Sequence, residues 1–264
     1  MQYKSPQPKK LFNEEFRLEK LSSQNDPLVK LKERIDFELF RGLLEESFHK
    51  EEKGIGGARP YDYVMMFKIL ILQRYYNISD DKMEFAILDR LSFMRFLSLT
   101  LSDKVPDAKT IWLFREQLTK ENAVEKLFNL FKKELHKKKL IANEGKIIDA
   151  SFVEVPIQRN SREENKQIKE GETPGEWKEK PNKLEQKDTD ARWTKKNGKS
   201  YYGYKDHVKA DEKSKLIDTY TVTDASVHDS QETEPLLSEQ DKGQSLHADS
   251  AYSGEPVVQV VEKK

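Results

Sequence analysis

Two aspartates occupy positions where a carboxylate can serve chemistry. Asp149 follows the apolar pair Ile147-Ile148 in KIIDASFVEV, and Asp249 stands in HADSAYSG, ahead of small residues and a glycine. A carboxylate on a buried strand is costly unless a cation or a hydrogen-bond donor compensates it. Small neighbours leave space for a ligand to approach. Taken singly, each also reads as a strand-end aspartate capping a turn. Taken together they say more. Two carboxylates held side by side repel, and one of them takes up a proton more readily unless a divalent cation fills the space between them. Magnesium suits such an all-oxygen site, with few protein ligands and several waters. Two such ions can activate a water or a 3′-hydroxyl and stabilise the leaving oxygen of an in-line phosphoryl displacement.

Other chemistries find less support. His207, His228 and His247 match no short metal-ligand spacing, and no cysteine is present to complete a zinc set. His228 and Asp229 stand where a helix is expected to begin, so they read as its cap or as support for the metal site. The glycines at 54, 56 and 57 precede a helix without the Lys-Ser/Thr of a phosphate loop, and no serine lies in a nucleophile-elbow context. Candidate contacts to nucleic acid are Arg59, Lys109, Arg115, Lys205, His207, the run Lys137-Lys138-Lys139 and the basic residues that follow residue 158. Each reads equally as solvated surface. Tyr201, Tyr202 and Tyr204 beside Lys205 offer aromatic faces next to charge, or alternate core positions.

These residues need elements to hold them. From about residue 27 to 140 the apolar positions recur at helical spacing. Asp26-Pro27 suits an N-cap and first-turn proline. Ser79 and Asp107 can cap later helices, and Val64 to Leu72 reads as the centre of a helical bundle. After Gly145 the period becomes that of strands. KIIDASFVEV, SYYGYKDHVKAD and LIDTYTVTDA precede a helical VHDSQETEPLL and a last strand in SLHADSAY, giving the order β-β-β-α-β. Between the first two strands a polar stretch, about 158–199, reads as a long loop or disordered insertion. The expected divisions are a flexible arm over 1–26, a helical domain over 27–142, and a strand-rich domain over 143–264 that holds the polar stretch. In an arrangement resembling ribonuclease H the first and fourth strands are neighbours, which would set Asp149 beside Asp249.

Composition bounds the class. Of 264 residues, 36% are charged and 36% hydrophobic, which is core-poor for the length. No apolar run approaches the ~20 residues of a membrane-spanning helix, and the first residues lack the apolar stretch of an export signal. The absence of cysteine excludes disulfides and thiol catalysis and fits a reducing cytoplasm. Lys+Arg equals Asp+Glu at 47 each, so overall charge by itself does not point to nucleic acid.

The longer pieces carry a resemblance. GARPYDYVMMFKILILQRYYNISDDKMEFAILDRLSFMRFLSL and DKVPDAKTIWLFREQL resemble the N-terminal domain of DDE transposases of bacterial insertion sequences, in the insertion-sequence-five group. KIIDASFVE, YYGYKDHVKAD, TDASVHDS and HADSAYSG resemble that group's catalytic domain in order and spacing. The resemblance implies an α+β chain, with a helical domain for DNA binding and assembly over 27–142 followed by a ribonuclease H-like mixed-sheet catalytic domain over 143–264. It also implies two Mg2+ or Mn2+ ions, and DNA cleavage and strand transfer at terminal inverted repeats by a homo-oligomer on double-stranded DNA. The family's metal ligands are Asp, Asp and Glu. The two aspartates map onto Asp149 and Asp249, while Glu255 and Glu262 lie too near Asp249 for the third. The catalytic domain is therefore expected to be incomplete at its C-terminus. The alternative is an inactive derivative that only binds DNA.

Overall fold

The computed structural model describes residues 13–48, 59–155 and 158–263. The chain divides into two compact units, residues 1–133 and 134–264. The first is helical. Its helices are α1 (Asn13–Ser23), α2 (Pro27–Arg34), α3 (Arg41–Ser47), α4 (Tyr63–Tyr76), α5 (Asp80–Asp89), α6 (Leu91–Leu97), α7 (Ala108–Lys120) and α8 (Ala123–Lys137), the last running through the division. Asp26 caps α2 through Leu28 N–H, with Pro27 in the first turn. Asp107 caps α7 through Thr110 N–H. Helix α4 is apolar on most sides and buries Val64, Met65, Met66, Ile69 and Leu72, the centre of a core that also takes Leu44, Ile87, Phe93, Phe96 and Ile111.

Two expectations need revision, and a third is untested. Ser79 makes no side-chain cap at α5; Asp80 and Asp81 instead place negative charge at that helix's positive end. The supposed flexible arm contains α1, which Arg95 ties down by donating to Leu18 O and Ser22 Oγ. The glycines at 54, 56 and 57 lie outside the described residues.

The second unit is a mixed five-stranded sheet: β1 (Lys146–Glu154), β2 (Arg192–Lys196), β3 (Lys199–Asp211), β4 (Ile217–Asp224) and β5 (Leu246–Ala248). The long β3 pairs antiparallel with β1, β2 and β4, and β1 pairs parallel with β5. The chain is thus α+β. Strand β3 alternates covered and half-open positions from Tyr204 to Asp211, the period of a sheet with one packed face. That face receives Leu236 and Leu237 at the end of α12 (Thr233–Leu236), and the short C-terminal α13 (Glu255–Lys263) packs with α12.

The packed face is unusually polar. Lys146, Lys209, Asp218 and Asp241 are buried together, with Lys209 Nζ 2.5 Å from Asp241 Oδ2 and 3.2 Å from Asp218 Oδ2. Lys146 Nζ lies 3.5 Å from Asp218 Oδ2. Buried charges persist only when paired in this way.

The polar stretch over 158–199 is not a loop. It forms α9 (Arg162–Lys169), α10 (Gly175–Lys178), α11 (Pro181–Gln186) and β2. Ser161 and Glu164 close a capping box on α9, and Trp177, fully buried, donates from Nε1 to Glu164 Oε1 at 2.8 Å. A single tryptophan and paired polar groups replace the apolar periodicity that sequence reading looks for, which is why composition alone suggests disorder.

Candidate active site

The parallel ladder between β1 and β5 pairs Lys146 with Leu246, Ile147 with His247 and Ile148 with Ala248. One step further along both chains stand Asp149 and Asp249. Both are exposed. Asp149 continues in β1, its Oδ1 accepting from Ala150 N–H at 2.8 Å. Asp249 leaves β5 and caps the single turn Ser250–Tyr252, its Oδ1 accepting from Ala251 N–H at 3.0 Å. The two carboxylates therefore stand in adjacent chains just past the last β1–β5 pair, Asp149 inside β1 and Asp249 directly after β5. Tyr252 closes that turn with a backbone bond from its N–H to Asp249 O at 3.1 Å.

A partly buried hydrogen-bonded chain ties the Asp249 turn to β3. Tyr252 Oη lies 3.3 Å from His207 Nδ1, and His207 Nε2 lies 2.9 Å from Thr223 Oγ1. Thr223 donates onward to Asp224 O at 3.1 Å. With that hydroxyl proton committed, Thr223 accepts from His207 Nε2–H, so Nδ1 accepts from Tyr252; His207 is neutral in this arrangement. Burial pushes the His207 imidazolium below its ordinary pKa, against the upward pull of Asp229 and Glu232. Burial also pushes the Tyr252 phenol well up, and the carboxylates of Asp229, Asp149, Asp249 and Glu232 add to this. Tyr252 thus senses four carboxylates from three elements.

Asp229 is buried and accepts from Lys205 Nζ at 2.8 Å, which also donates to Val227 O at 2.6 Å. His228 caps the turn that follows, with Nδ1 accepting from Ser230 N–H at 3.3 Å. The capping role read for this pair falls to His228, while Asp229 neutralises a buried lysine.

The structure separates the candidate DNA contacts. Arg59 and Lys109 are exposed. Arg115 is engaged by both oxygens of Asp80, with Nη1 3.0 Å from Oδ1. Lys205 is 8% exposed and His207 0% exposed. Both point into the packed face of β3, so neither is presented to a nucleic acid. Alternation along YYGYKDHVKAD decides the matter: Lys205, His207 and Lys209 share one face, and that face is the covered one. Tyr252 and Thr223 escape sequence reading, although Tyr252 stands three residues after Asp249, one turn of a tight helix.

Among the described residues, no three or more His, Asp or Glu side chains are grouped so as to hold a metal ion. The donor set beside the last β1–β5 pair nevertheless fits a hard cation. Asp149 and Asp249 offer open carboxylate oxygens, and magnesium is commonly held by one or two carboxylates, with waters and substrate phosphates filling the other positions.

Comparison with known families covers both units. Residues 16–117 match the family model described as Transposase domain (DUF772). Residues 142–264 match the model described as Transposase DDE domain. The helical region followed by a mixed sheet with helices agrees with the ribonuclease H-like fold of that second family. No solved structure matches the chain. No helix among the described residues is long and apolar enough to cross a membrane.

Proposed function

We propose, for a chain that belongs to the DDE transposases of insertion sequences, that it binds element ends and carries out metal-dependent DNA cleavage and strand transfer through Asp149 and Asp249. The observation that carries this reading is the β1–β5 register, in which both aspartates stand one step beyond the Ile148–Ala248 pair. Neither carboxylate is consumed by an ion pair among the described residues. Each accepts only a local backbone N–H, leaving oxygen lone pairs directed to solvent.

Asp149 and Asp249 would hold Mg2+ or Mn2+, which when bound lowers the pKa of an attacking water or 3′-hydroxyl and neutralises charge on the phosphoryl oxygens. The chain's own residues keep the two carboxylates in place. Tyr252 anchors the turn that Asp249 caps, and the neutral His207 orients the Tyr252 hydroxyl. Lys205 pairs with the buried Asp229 carboxylate. Arg59 and Lys109 remain free to meet DNA phosphates, and the enzyme would act as a homo-oligomer bridging two element ends and a target duplex.

The test is an Asp149→Asn chain alongside an Asp249→Asn chain. Both should lose Mg2+-dependent cleavage of end-bearing DNA by at least about a hundredfold, a typical scale for a lost catalytic charge, while retaining end binding in gel-shift titrations. Cleavage at the wild-type rate by either variant removes the reading.

A further inference from the structure

The second unit carries a cleft of about 430 Å³ on the far part of the sheet, between α9 and β2. Five cationic side chains line it: Arg162, Lys166 and Lys169 from α9, and Arg192 and Lys195 from β2. No carboxylate is among its lining residues. The three from α9 stand at spacings of four and three, which places them on one helical face. In a chain whose formal net charge is zero, a wall with five positive charges and no negative one is a local concentration of potential, the form that attracts polyanions.

A second, independent feature lies in the same cleft. Asn165 is only 6% exposed, and both its Oδ1 and Nδ2 lack any hydrogen-bond partner. Buried amide groups are almost always satisfied. An amide offers a donor and an acceptor together, so a ligand bearing both kinds of group completes it. Trp193 forms part of the wall, its indole fixed by an Nε1–H bond to Asn160 O at 2.8 Å. Arg192 is fixed too, with Nη1 donating to Thr189 O at 2.6 Å. By contrast, Arg162, Lys166, Lys169 and Lys195 make no ion pair or side-chain hydrogen bond within the described residues.

We propose that the α9–β2 cleft binds the phosphate backbone of a DNA strand, with the cations on the phosphates, Trp193 offering a stacking face and Asn165 taking a hydrogen bond from the nucleotide. This deepens the transposase reading and rests on it for the choice of DNA as the polyanion. The polar insertion then supplies the basic surface that the overall charge balance conceals.

The experiment is fluorescence-anisotropy titration of the intact chain with a single-stranded oligonucleotide and with a duplex, over a series of salt concentrations. Three variants are compared with the wild type. One carries Lys166→Ala, Lys169→Ala and Lys195→Ala. A control carries Lys178→Ala, Lys180→Ala and Lys242→Ala, exposed lysines outside the cleft. The third carries Asn165→Ala. Removing one phosphate-binding cation flattens the log–log salt dependence by roughly 0.7 to 0.9. The cleft triple variant should therefore flatten the slope by about 2 and bind about tenfold or more weakly, with the control little changed. Asn165→Ala should weaken binding several-fold with the slope preserved, since the amide carries no charge. An unchanged slope in the cleft variant, or an equal weakening in the control, overturns the proposal; unchanged affinity in Asn165→Ala overturns its hydrogen-bonding part. A chain that binds through the cleft but never cleaves end DNA with Mg2+ supports the cleft and removes the transposase reading. A chain that cleaves while the cleft variant binds as wild type does the reverse.

Discussion

The hydroxyl of Tyr252 lies 3.3 Å from Nδ1 of His207, and this hydrogen bond joins the turn that carries Asp249 to the central strand β3. Removing only the hydroxyl, in Tyr252→Phe, keeps the ring in its cluster with Ile148, Leu236 and Leu237 but leaves a buried imidazole nitrogen unpaired. The expected cost is about 1–2 kcal/mol. Truncation to Ala should cost about 3–5 kcal/mol, because the ring's packing disappears as well. Urea unfolding of the two variants separates these contributions.

The buried cluster of Lys146, Lys209, Asp218 and Asp241 predicts an asymmetry. Lys209→Met leaves Asp241 and Asp218 with one buried cation in place of two. A destabilisation of about 3–5 kcal/mol is expected at neutral pH. Adding Asp241→Leu should restore part of it, because one unpaired charge is then removed as well. A double-mutant cycle by denaturant titration reads this coupling directly.

Acid should loosen the second unit at Asp211. Burial raises the pKa of this carboxyl, but the Ser214 hydroxyl and backbone N–H and the N–H groups of Asn143 and Ala142 outweigh burial and hold it at about 2, below its ordinary value of 3.8. A depressed folded pKa stabilises the fold above the unfolded pKa, and that contribution disappears as pH falls through the folded one. The contribution of about 2 kcal/mol is therefore full above roughly pH 4 and gone below roughly pH 2. Asp211→Asn should be less stable than wild type at neutral pH and should converge with it over that interval, in stability measured against pH.

Gly203 has φ +146°, and a Cβ there would meet Val153 O at 2.2 Å and Val155 N at 2.9 Å. Both obstacles are backbone atoms of β1 and its exit, so neither can swing aside. Gly203→Ala should destabilise the sheet by about 2 kcal/mol or more, and thermal unfolding checks this. The same close approach explains why YYGYK tolerates a glycine inside a strand.

Much of the fold is legible in the sequence because its signals are local. Period-2 alternation marks β1, β3 and β4, and helical spacing marks the bundle. The β1–β5 pairing next to Asp149 and Asp249 is legible as well, once the order β-β-β-α-β is taken as the ribonuclease H-like arrangement it resembles. What escapes reading is decided by packing. Which face of β3 is covered turns Lys205 and His207 from surface candidates into buried groups. The insertion hides its structure because Trp177 and Glu164 stabilise it through one ring and one hydrogen bond, a pattern with no periodicity to detect. The Asn165 cleft likewise exists only after α9 and β2 have met.

Strand β1 is nine residues long, while β5 is three residues long and stands at the end of the sheet path. The two aspartates are therefore mounted on supports of unequal stiffness. Asp149 sits in a ladder bonded along its length to β3, whereas Asp249 rides on three residue pairs and one turn. A cation shared by both would clamp the looser support to the firmer one, so occupancy should be written into the dynamics of the chain. Amide exchange over 246–252 would slow on adding Mn2+ while that of β3 stays nearly constant.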